Sequence, residues 1–356
     1  MNLDHVHFYV ADAVIWRNWF VQKLGFQPIA HLAGSGIYAD FETQTEIVQS
    51  GKVCIFLSSA KTAQSPVARY LQKHPAGVAD VAFQVENLEM AIAQAVSSGA
   101  KVTQLPQVVR QPQRIVKSAQ IQGWGDLRHT LVEPLEQPEE SLDPGWITEF
   151  DHVVLNVAAG ELRKASAWYE QVFGFQRQQT FEIQTDRSAL CSQVLTHPAG
   201  SAQLPINEPT SSGSQIQEFL NANRGTGIQH IALQTSAIVE AIAQFRRQGL
   251  SFLSVPFSYY EALRQRPGFS LSAAEWQAIA HQEVLVDWQK DLPQALLLQA
   301  FTQPIFPQPT FFFELIERRK SWVNKQCHQA KGFGEGNFRA LFEAIEREQM
   351  KRGSLL

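Results

Sequence analysis

The 356-residue chain repeats itself with a period near 150 residues, and this repeat constrains its fold more than any other feature. The motif Asp4-His5-Val6 recurs as Asp151-His152-Val153, and Ala91-Ile92-Ala93-Gln94 recurs as Ala241-Ile242-Ala243-Gln244. A tryptophan, a glycine and a phenylalanine follow the first motif in both halves with the same spacing: Trp19, Gly25 and Phe26, and Trp168, Gly174 and Phe175. A collinear series of matches indicates two copies of one folding unit.

Each half contains two strand–helix pairs. Apolar residues alternate in the strands and recur at helical spacing in the helices, and the first helix of each half ends at a glycine. The predicted pairs are strand 4–10 with helix 13–24, strand 78–85 with helix 88–98, strand 151–157 with helix 161–173, and strand 227–234 with helix 238–248. Further alternating segments predict additional strands. The chain is therefore predicted to be an α+β protein with two similar halves.

The repeat also suggests domain boundaries. We predict an N-terminal domain at 1–133, a linker at 134–147 that is rich in proline and acidic residues, and a C-terminal domain at 148–356. Glu133 is predicted to match Glu314, at an offset about 31 residues larger than the preceding one. The extra residues are predicted to lie between Pro256 and Leu285, as an insertion that shapes a site.

Composition excludes several classes of function. The net charge is -4, so the chain has no basic surplus with which to bind nucleic acid. No apolar stretch reaches the roughly 18 residues of a membrane span, and the N-terminus lacks the pattern of a signal peptide. Three widely separated cysteines fit a reducing compartment. We therefore expect a cytoplasmic protein that binds neither nucleic acid nor a membrane.

Three residues of the C-terminal half form a candidate metal site: His152, His230 and Glu314. Their predicted counterparts in the N-terminal half are His5, Asp80 and Glu133. A histidine on an apolar strand is more often a hydrogen-bonded core residue than a ligand. However, a carboxylate on such a strand is costly unless it is paired or bound to metal. Two histidines and one carboxylate are the ligand set of non-haem Fe(II) oxygenases, which leaves three coordination positions open.

Six segments of the C-terminal half carry a family resemblance. In chain order they are LPINEP (204–209), SQIQ (214–217), GIQHIA (227–232), LQAFT (298–302), PTFFFE (309–314) and GFGEGNF (332–338). In sequence and order they resemble the 4-hydroxyphenylpyruvate dioxygenases of the vicinal oxygen chelate superfamily. The resemblance implies two tandem vicinal-oxygen-chelate domains, each made of paired βαβββ modules that form an open curved sheet. It also implies a C-terminal helix, 337–352, that gates the site.

The resemblance further implies Fe(II) bound by His152, His230 and Glu314. It implies that 4-hydroxyphenylpyruvate and O2 are the substrates, that homogentisate and CO2 are the products, and that the protein is a homo-oligomer. The substrate pocket that it implies consists of Ser188, Asn207, Gln215, Gln229, Gln299, Phe301, Phe312, Phe333, Asn337 and Phe338. Phenylalanines suit an aromatic ring, and amides can bind its phenol or carboxylate without adding charge.

Strand periodicity tests part of this pocket. Phe312 and Glu314 lie two residues apart, so they share a face of the predicted strand. Gln299 and Phe301 do the same. Gln229 is adjacent to His230, so strict alternation would direct it away from the metal unless the strand contains a bulge.

Three alternative functions remain open. A 4-hydroxymandelate synthase would use the same metal and substrate but hydroxylate the benzylic carbon; by resemblance, Pro205 and Asn207 favour homogentisate. An extradiol catechol dioxygenase would need basic residues near the metal, for which His197 and His281 are the candidates. A metal-free binding protein on the same scaffold would not require His152, His230 and Glu314. Whether homogentisate would feed degradation or quinone and tocopherol synthesis is also open.

Overall fold

Two eight-stranded sheets, one from each half of the chain, make up most of the fold. They are seen in a computed structural model that describes residues 1–29, 41–111, 114–136, 145–185, 188–323 and 325–354. Residues 137–144 of the predicted linker lie outside the described residues. Within the described ranges, no helix is long and apolar enough to cross a membrane.

Eight strands and three helices lie in the part of the N-terminal half that the structure describes. The strands are β1 (Asn2–Tyr9), β2 (Gln27–Ile29), β3 (Thr43–Ser50), β4 (Val53–Ala60), β5 (Gly77–Gln84), β6 (Val102–Gln111), β7 (Arg114–Gln122) and β8 (Arg128–Pro134). The helices are α1 (Ala13–Leu24), α2 (Pro66–Lys73) and α3 (Leu88–Ser97). The strand order in the sheet is β2-β3-β4-β1-β5-β8-β7-β6, so two βαβββ modules meet where β1 pairs with β5.

The C-terminal half repeats this arrangement. Its sheet strands are β9 (Phe150–Asn156), β10 (Gln176–Gln184), β11 (Ala189–Thr196), β12 (Gln203–Pro209), β13 (Gly227–Gln234), β14 (Leu285–Gln289), β15 (Leu292–Phe301) and β16 (Phe312–Arg318). Their order is β10-β11-β12-β9-β13-β16-β15-β14, which matches the first sheet strand for strand. Both copies end their first helix at a glycine in the left-handed conformation, Gly25 (φ 71°) and Gly174 (φ 74°). Glycine adopts this conformation without a steric penalty, which explains the glycine stops in the sequence.

Six helices and a hairpin complete the described part of this half. The helices are α4 (Leu162–Phe173), α5 (Gln215–Asn223), α6 (Ile238–Arg247), α7 (Phe257–Gln265), α8 (Ala273–His281) and α9 (Phe338–Arg352). The hairpin consists of β17 (Lys320–Val323) and β18 (Gln326–Gln329), and a short 3-10 helix (Glu335–Asn337) precedes α9. The predicted insertion between Pro256 and Leu285 is the α7–α8 pair, which has no counterpart between α3 and β6.

The predicted equivalence of Glu133 and Glu314 is wrong. Val132 pairs with the last residue of β5, as Ile316 pairs with the last residue of β13, so the true offset is 184 residues. Glu133 therefore corresponds to Glu317. Each of these two carboxylates accepts a hydrogen bond, at 2.8 Å in both halves, from the backbone N–H of the first helical residue of its own module, Leu88 of α3 or Ile238 of α6. The counterpart of Glu314 is Thr130.

The two sheets share one hydrophobic core. Phe8 on β1 is fully buried and packs edge-to-face against Phe311, with ring centroids 5.0 Å apart, and against Phe306. A buried polar contact also crosses between the halves, where the Tyr169 hydroxyl lies 2.9 Å from His129 Nε2. The halves are therefore packed against each other through both apolar and hydrogen-bonded contacts.

Candidate active site

Three neighbouring strands bring the predicted metal ligands together. β13 lies between β9 and β16, and Ala232 on β13 is the cross-strand partner of both His152 and Glu314. His230 lies two residues before Ala232 and thus on the same face of β13. Because alanine is small, the longer side chains of the flanking strands meet in front of it.

The geometry suits a metal ion. Glu314 Oε2 lies 3.2 Å from His152 Nε2 and 3.6 Å from His230 Nε2. One ligand atom from each of the three residues falls within 4.8 Å of the other two. Atoms at this separation can all reach an ion at coordination distances of roughly 2.0–2.2 Å after small rotations. No other group of three or more His, Cys, Asp or Glu side chains converges in this way among the described residues.

The pKa values of His152, His230 and Glu314 are shifted by the charges of the other residues in the group and by burial. Burial disfavours the charged form of His152, but the carboxylates of Glu314 and Asp151 outweigh it and raise its pKa to about 9. Burial likewise opposes the carboxylate of Glu314, yet His152 and His230 lower its pKa to about 2. Burial dominates at His230, whose pKa is lowered. Without metal, the site therefore contains a buried imidazolium–carboxylate pair, which a divalent cation would replace.

His152 is held in place by hydrogen bonds. Its Nδ1 lies 2.8 Å from Asp151 Oδ1, and Asp151 is bound by both Arg318 and Gln234. Arg318 holds the pKa of Asp151 well below its usual range, against the effect of burial. A pairing shift in β9 between Phe150 and His152 accommodates Asp151 as an extra residue in the strand. This orientation leaves Nε2 of His152 for the metal.

His230 is held by packing. Its ring stacks on Phe312, with centroids 4.8 Å apart and an interplanar angle of 18°, and its Nδ1 is buried without a hydrogen-bond partner among the described residues. Phe301 meets the same ring edge-on at 6.5 Å. The two predicted histidine ligands are thus oriented by different means.

A cleft adjoins the three ligands, between the C-terminal sheet and α9. Eight of the ten predicted pocket residues line it: Asn207, Gln215, Gln229, Gln299, Phe301, Phe312, Phe333 and Phe338. The lining also includes apolar residues that sequence reasoning did not assign to the pocket: Val154, Phe181, Ile183, Leu190, Val194, Ile216, Leu341, Phe342 and Ile345. Ser192 and Pro205 complete the wall. Apolar strand and helix residues give no sequence signal that separates a cleft wall from ordinary core.

Gln229 reaches the cleft because β13 contains a bulge. Ile228 pairs with Leu155 and His230 pairs with Val154, so Gln229 is an extra residue in its strand. A bulge redirects side chains that strict alternation would send to opposite faces. Gln229 and His230 therefore both line the cleft although they are neighbours in sequence.

The other two predicted pocket residues, Ser188 and Asn337, are buried and do not line the cleft. The Ser188 hydroxyl donates to Glu346 of α9 at 2.5 Å. Asn337 donates to Gln299 Oε1 at 2.9 Å and accepts from the Tyr259 hydroxyl at 2.8 Å. Both residues therefore join α9 and the segment before it to the rest of the domain.

Gln299 links the cleft to a metal ligand. Its Nε2 donates to Glu314 Oε1 at 2.9 Å and to the backbone carbonyl of Phe333 at 3.0 Å. Tyr259, on the inserted helix α7, completes the network by holding Asn337 and by contacting the backbone of Val286. The role of Tyr259 was missed from the sequence because the insertion has no counterpart in the repeat.

The corresponding positions of the N-terminal half do not form a ligand set. Asp80 accepts hydrogen bonds from the backbone and hydroxyl of Thr130 and from Gln120. His5 Nδ1 lies 2.7 Å from Asp4, and the His5 ring stacks on Phe56. Thr130 stands where the C-terminal half has the Glu314 carboxylate, and the Asp80 carboxylate is already occupied by hydrogen bonds from Thr130 and Gln120. This half is therefore a degenerate copy of the site.

Comparisons with known proteins agree with this geometry. A family model described as the Glyoxalase/Bleomycin resistance protein/Dioxygenase superfamily matches residues 149–266. The chain is 36% identical to 4-hydroxyphenylpyruvate dioxygenase of Yarrowia lipolytica, over 99% of this chain and 93% of that protein. It is 34% identical to the enzyme of that name in Danio rerio, over 100% and 92%. An uncharacterized protein of Synechocystis sp. is 37% identical over 97% of both chains.

Among solved structures, a triple mutant of 4-hydroxymandelate synthase from Streptomyces coelicolor superposes with a TM-score of 0.84, at 28% identity over 98% of both chains. These matches cover nearly the whole chain, so the similarity includes both halves of the repeat. The chain therefore belongs to the 4-hydroxyphenylpyruvate dioxygenase family of the vicinal oxygen chelate superfamily and is a metal-binding enzyme of that family.

Proposed function

We propose that the protein is an Fe(II)-dependent dioxygenase that converts 4-hydroxyphenylpyruvate and O2 into homogentisate and CO2. The observation that carries this proposal is the convergence of His152, His230 and Glu314 in the wall of a cleft that is also lined with aromatic and amide side chains. The same ligand set occurs in non-haem Fe(II) oxygenases. Fe(II), O2 and a homo-oligomeric assembly all belong to the proposal.

Fe(II) held by His152, His230 and Glu314 would bind the α-keto acid group and activate O2 at the positions that the three side chains leave open. The protein's contribution is to fix these ligands. Asp151 keeps His152 turned so that Nε2 faces the site, and Gln299 holds the second oxygen of Glu314. The substrate supplies its own keto acid, so no separate 2-oxoglutarate is needed.

The cleft suits the rest of the substrate. Phe312, Phe333 and Phe338 offer apolar faces and edges for an aromatic ring. Asn207, Gln215 and Gln229 offer amide donors and acceptors for a phenol without introducing a charge. Because α9 covers the cleft, it would exclude water while the ring is oxidised.

A 4-hydroxymandelate synthase is the nearest alternative, and the superposed synthase structure favours it as a second candidate. Homogentisate formation is favoured by the 33–36% identity to relatives named 4-hydroxyphenylpyruvate dioxygenase over nearly the full chain. An extradiol catechol dioxygenase is disfavoured, since its candidate bases lie elsewhere. His197 contacts the N-terminus and His281 ends α8, so neither lines the cleft.

The decisive experiment is product analysis. Protein reconstituted anaerobically with Fe(II) would receive 4-hydroxyphenylpyruvate and air, with oxygen uptake recorded and products separated by chromatography. We expect one homogentisate for each O2 consumed. Hydroxymandelate as the product would overturn the ring-hydroxylation proposal and establish the alternative. Absence of oxygen uptake with iron bound would overturn the substrate assignment.

A further inference from the structure

Arg318, near the end of β16, makes hydrogen bonds in two directions. Its Nε and Nη2 donate to the two carboxylate oxygens of Asp151, at 2.6 and 2.7 Å. Its Nη1 donates to the backbone carbonyls of Gly332 and Ala330, at 3.0 and 3.3 Å. Only 9% of the side chain is exposed, so these charge-assisted bonds form in a largely water-free environment. One guanidinium thus joins Asp151 to the chain segment ahead of α9.

Both ends of this connection matter for the site. Asp151 orients the metal ligand His152, as described above. Residues 330–334, which we call the hinge segment, lead into the 3-10 helix and then into α9, which covers the cleft. Gly332 (φ 85°) and Gly334 (φ 79°) have left-handed backbone conformations. Glycine adopts these readily, so the hinge segment can change direction within a few residues.

A second connection runs parallel to the first. Gln299 Nε2 donates to Glu314 Oε1 and also to the carbonyl of Phe333 in the hinge segment. Phe333 in turn packs edge-on against the His152 ring, with centroids 5.2 Å apart. Two of the three predicted ligands are therefore connected to the hinge segment. His152 is connected through Asp151 and Arg318, and Glu314 is connected through Gln299.

We propose that Arg318 is a positioning residue that couples the metal ligands to the hinge segment, so that metal binding and closure of α9 over the cleft stabilise each other. The inference rests on the proposed metal site. Metal binding fixes His152 and hence Asp151, and Asp151 fixes the guanidinium that holds the Ala330 and Gly332 carbonyls. Coupling between two equilibria is reciprocal, so a closed hinge segment also increases metal affinity.

The N-terminal half supplies a matched control. Arg114 donates to both oxygens of Asp4, at 2.7 and 2.8 Å, and Asp4 contacts His5 just as Asp151 contacts His152. There Arg114 Nε also donates to the side chain of Gln111, and no ligand set is found among the described residues of this half. Arg→Lys at each position keeps the positive charge but removes the planar fork that allows several simultaneous bonds. The two substitutions therefore make the same chemical change with and without a metal site.

The test uses the full chain with a redox-inert metal such as Co2+. Hydrogen–deuterium exchange of residues 330–337 would be followed with and without Co2+, and Co2+ affinity would be titrated for wild type, Arg318→Lys and Arg114→Lys. We expect Co2+ to protect the hinge segment in wild type and in Arg114→Lys. In Arg318→Lys we expect a 10- to 100-fold weaker affinity, the usual effect of losing support behind a ligand, and loss of this protection.

The possible failures can be told apart. If wild type binds Co2+ and turns over substrate with Fe(II), but exchange at 330–337 does not respond to metal, the coupling is overturned and the proposed function stands. If Arg318→Lys keeps both the affinity and the protection, Arg318 is not the coupling residue. If wild type binds no metal, the proposed function and the coupling are overturned together. Because the first comparison needs only wild type, the test survives even if Arg318→Lys does not fold.

Discussion

Glu314 is the residue on which the site depends most, because its two oxygens serve different partners. Oε2 faces both histidines, whereas Oε1 accepts from Gln299. Glu314→Gln removes the negative charge at nearly constant shape. We expect metal affinity to fall by more than about 100-fold, beyond the range seen when only supporting residues are changed. Metal content after dialysis measures this effect.

Glu317→Gln is the matched control for that substitution. Glu317 lies on the same strand and its carboxylate accepts from the Ile238 backbone N–H, a bond that a glutamine oxygen can replace. Metal content and turnover should therefore stay at wild-type levels. Full activity in Glu314→Gln would contradict the assignment of Glu314 as a ligand.

Phe338 tests the pocket separately from the metal. Its ring lines the cleft and packs edge-to-face against Phe181, with centroids 5.0 Å apart. Phe338→Ala removes a half-buried ring that bound substrate would cover, and full burial of such a ring is worth about 1.5–3 kcal/mol, so we expect KM to rise by up to roughly 10- to 100-fold while metal content is unchanged. Lys351→Ala, at the exposed end of α9, should alter neither quantity. Unchanged KM in Phe338→Ala would exclude the ring from substrate binding.

Metal uptake should depend on pH through His152. Its pKa in the metal-free protein is raised to about 9, so the residue is protonated at neutral pH, whereas a metal ligand must be neutral. Binding therefore releases a proton, and affinity should rise about tenfold per pH unit between pH 7 and 8.5, then level off near pH 9. Titrations with Co2+ in buffers of different ionisation enthalpy would detect the proton. Affinity that is independent of pH would show that His152 is already unprotonated in the metal-free protein.

At the scale of elements, the hinge segment packs directly against Gln299 at Gly334. A Cβ on Gly334 would approach Gln299 Oε1 to 1.8 Å, so Gly334→Ala must displace either Gln299 or the hinge segment. We expect kcat/KM to fall by more than about tenfold because the support of Glu314 and the cover of the cleft are both disturbed. Steady-state kinetics with metal-loaded protein measures the loss.

Gly353→Ala separates packing from backbone strain. Gly353 follows α9 with φ 73°, close to the 79° of Gly334, but an added Cβ there would meet nothing within 4 Å. Both substitutions incur the cost of a left-handed alanine, about 1 kcal/mol, whereas only Gly334→Ala also clashes. Equal kinetic effects in the two variants would show that the contact with Gln299 is unimportant.

At the scale of the whole molecule, the two halves depend on a shared core. Phe8 belongs to the N-terminal sheet, yet its ring packs against Phe306 and Phe311 of the C-terminal half. Phe8→Ala should lower the free energy of unfolding by about 3–5 kcal/mol. The loss should appear in one cooperative transition, followed by circular dichroism and tryptophan fluorescence together. Phe41→Ala, at a ring that is 96% exposed, is the control and should have little effect. Separate transitions would show that the halves unfold independently.

The sequence by itself determined the repeat, the two strand–helix pairs of each half and the three candidate ligands. These features are local: apolar periodicity marks each strand, a glycine ends each first helix, and His152, His230 and Glu314 interrupt apolar strands with polar groups that need a partner. Comparison of the two copies also located the insertion that contains α7 and α8, because it shows where the C-terminal copy is longer than the N-terminal one.

The tertiary structure alone decided which residues share a face or a partner. The bulge at Gln229 depends on how β13 pairs with β9, and counting alternate residues along one strand cannot reveal it. The equivalence of Thr130 with Glu314 depends on how β8 pairs with β5 and how β16 pairs with β13. Because the insertion separates these strands in the sequence, an alignment error of three residues was enough to match Glu314 with Glu133 instead. The contacts of Arg318 with Asp151 and with the Gly332 carbonyl join residues far apart in the sequence, so only folding brings them together.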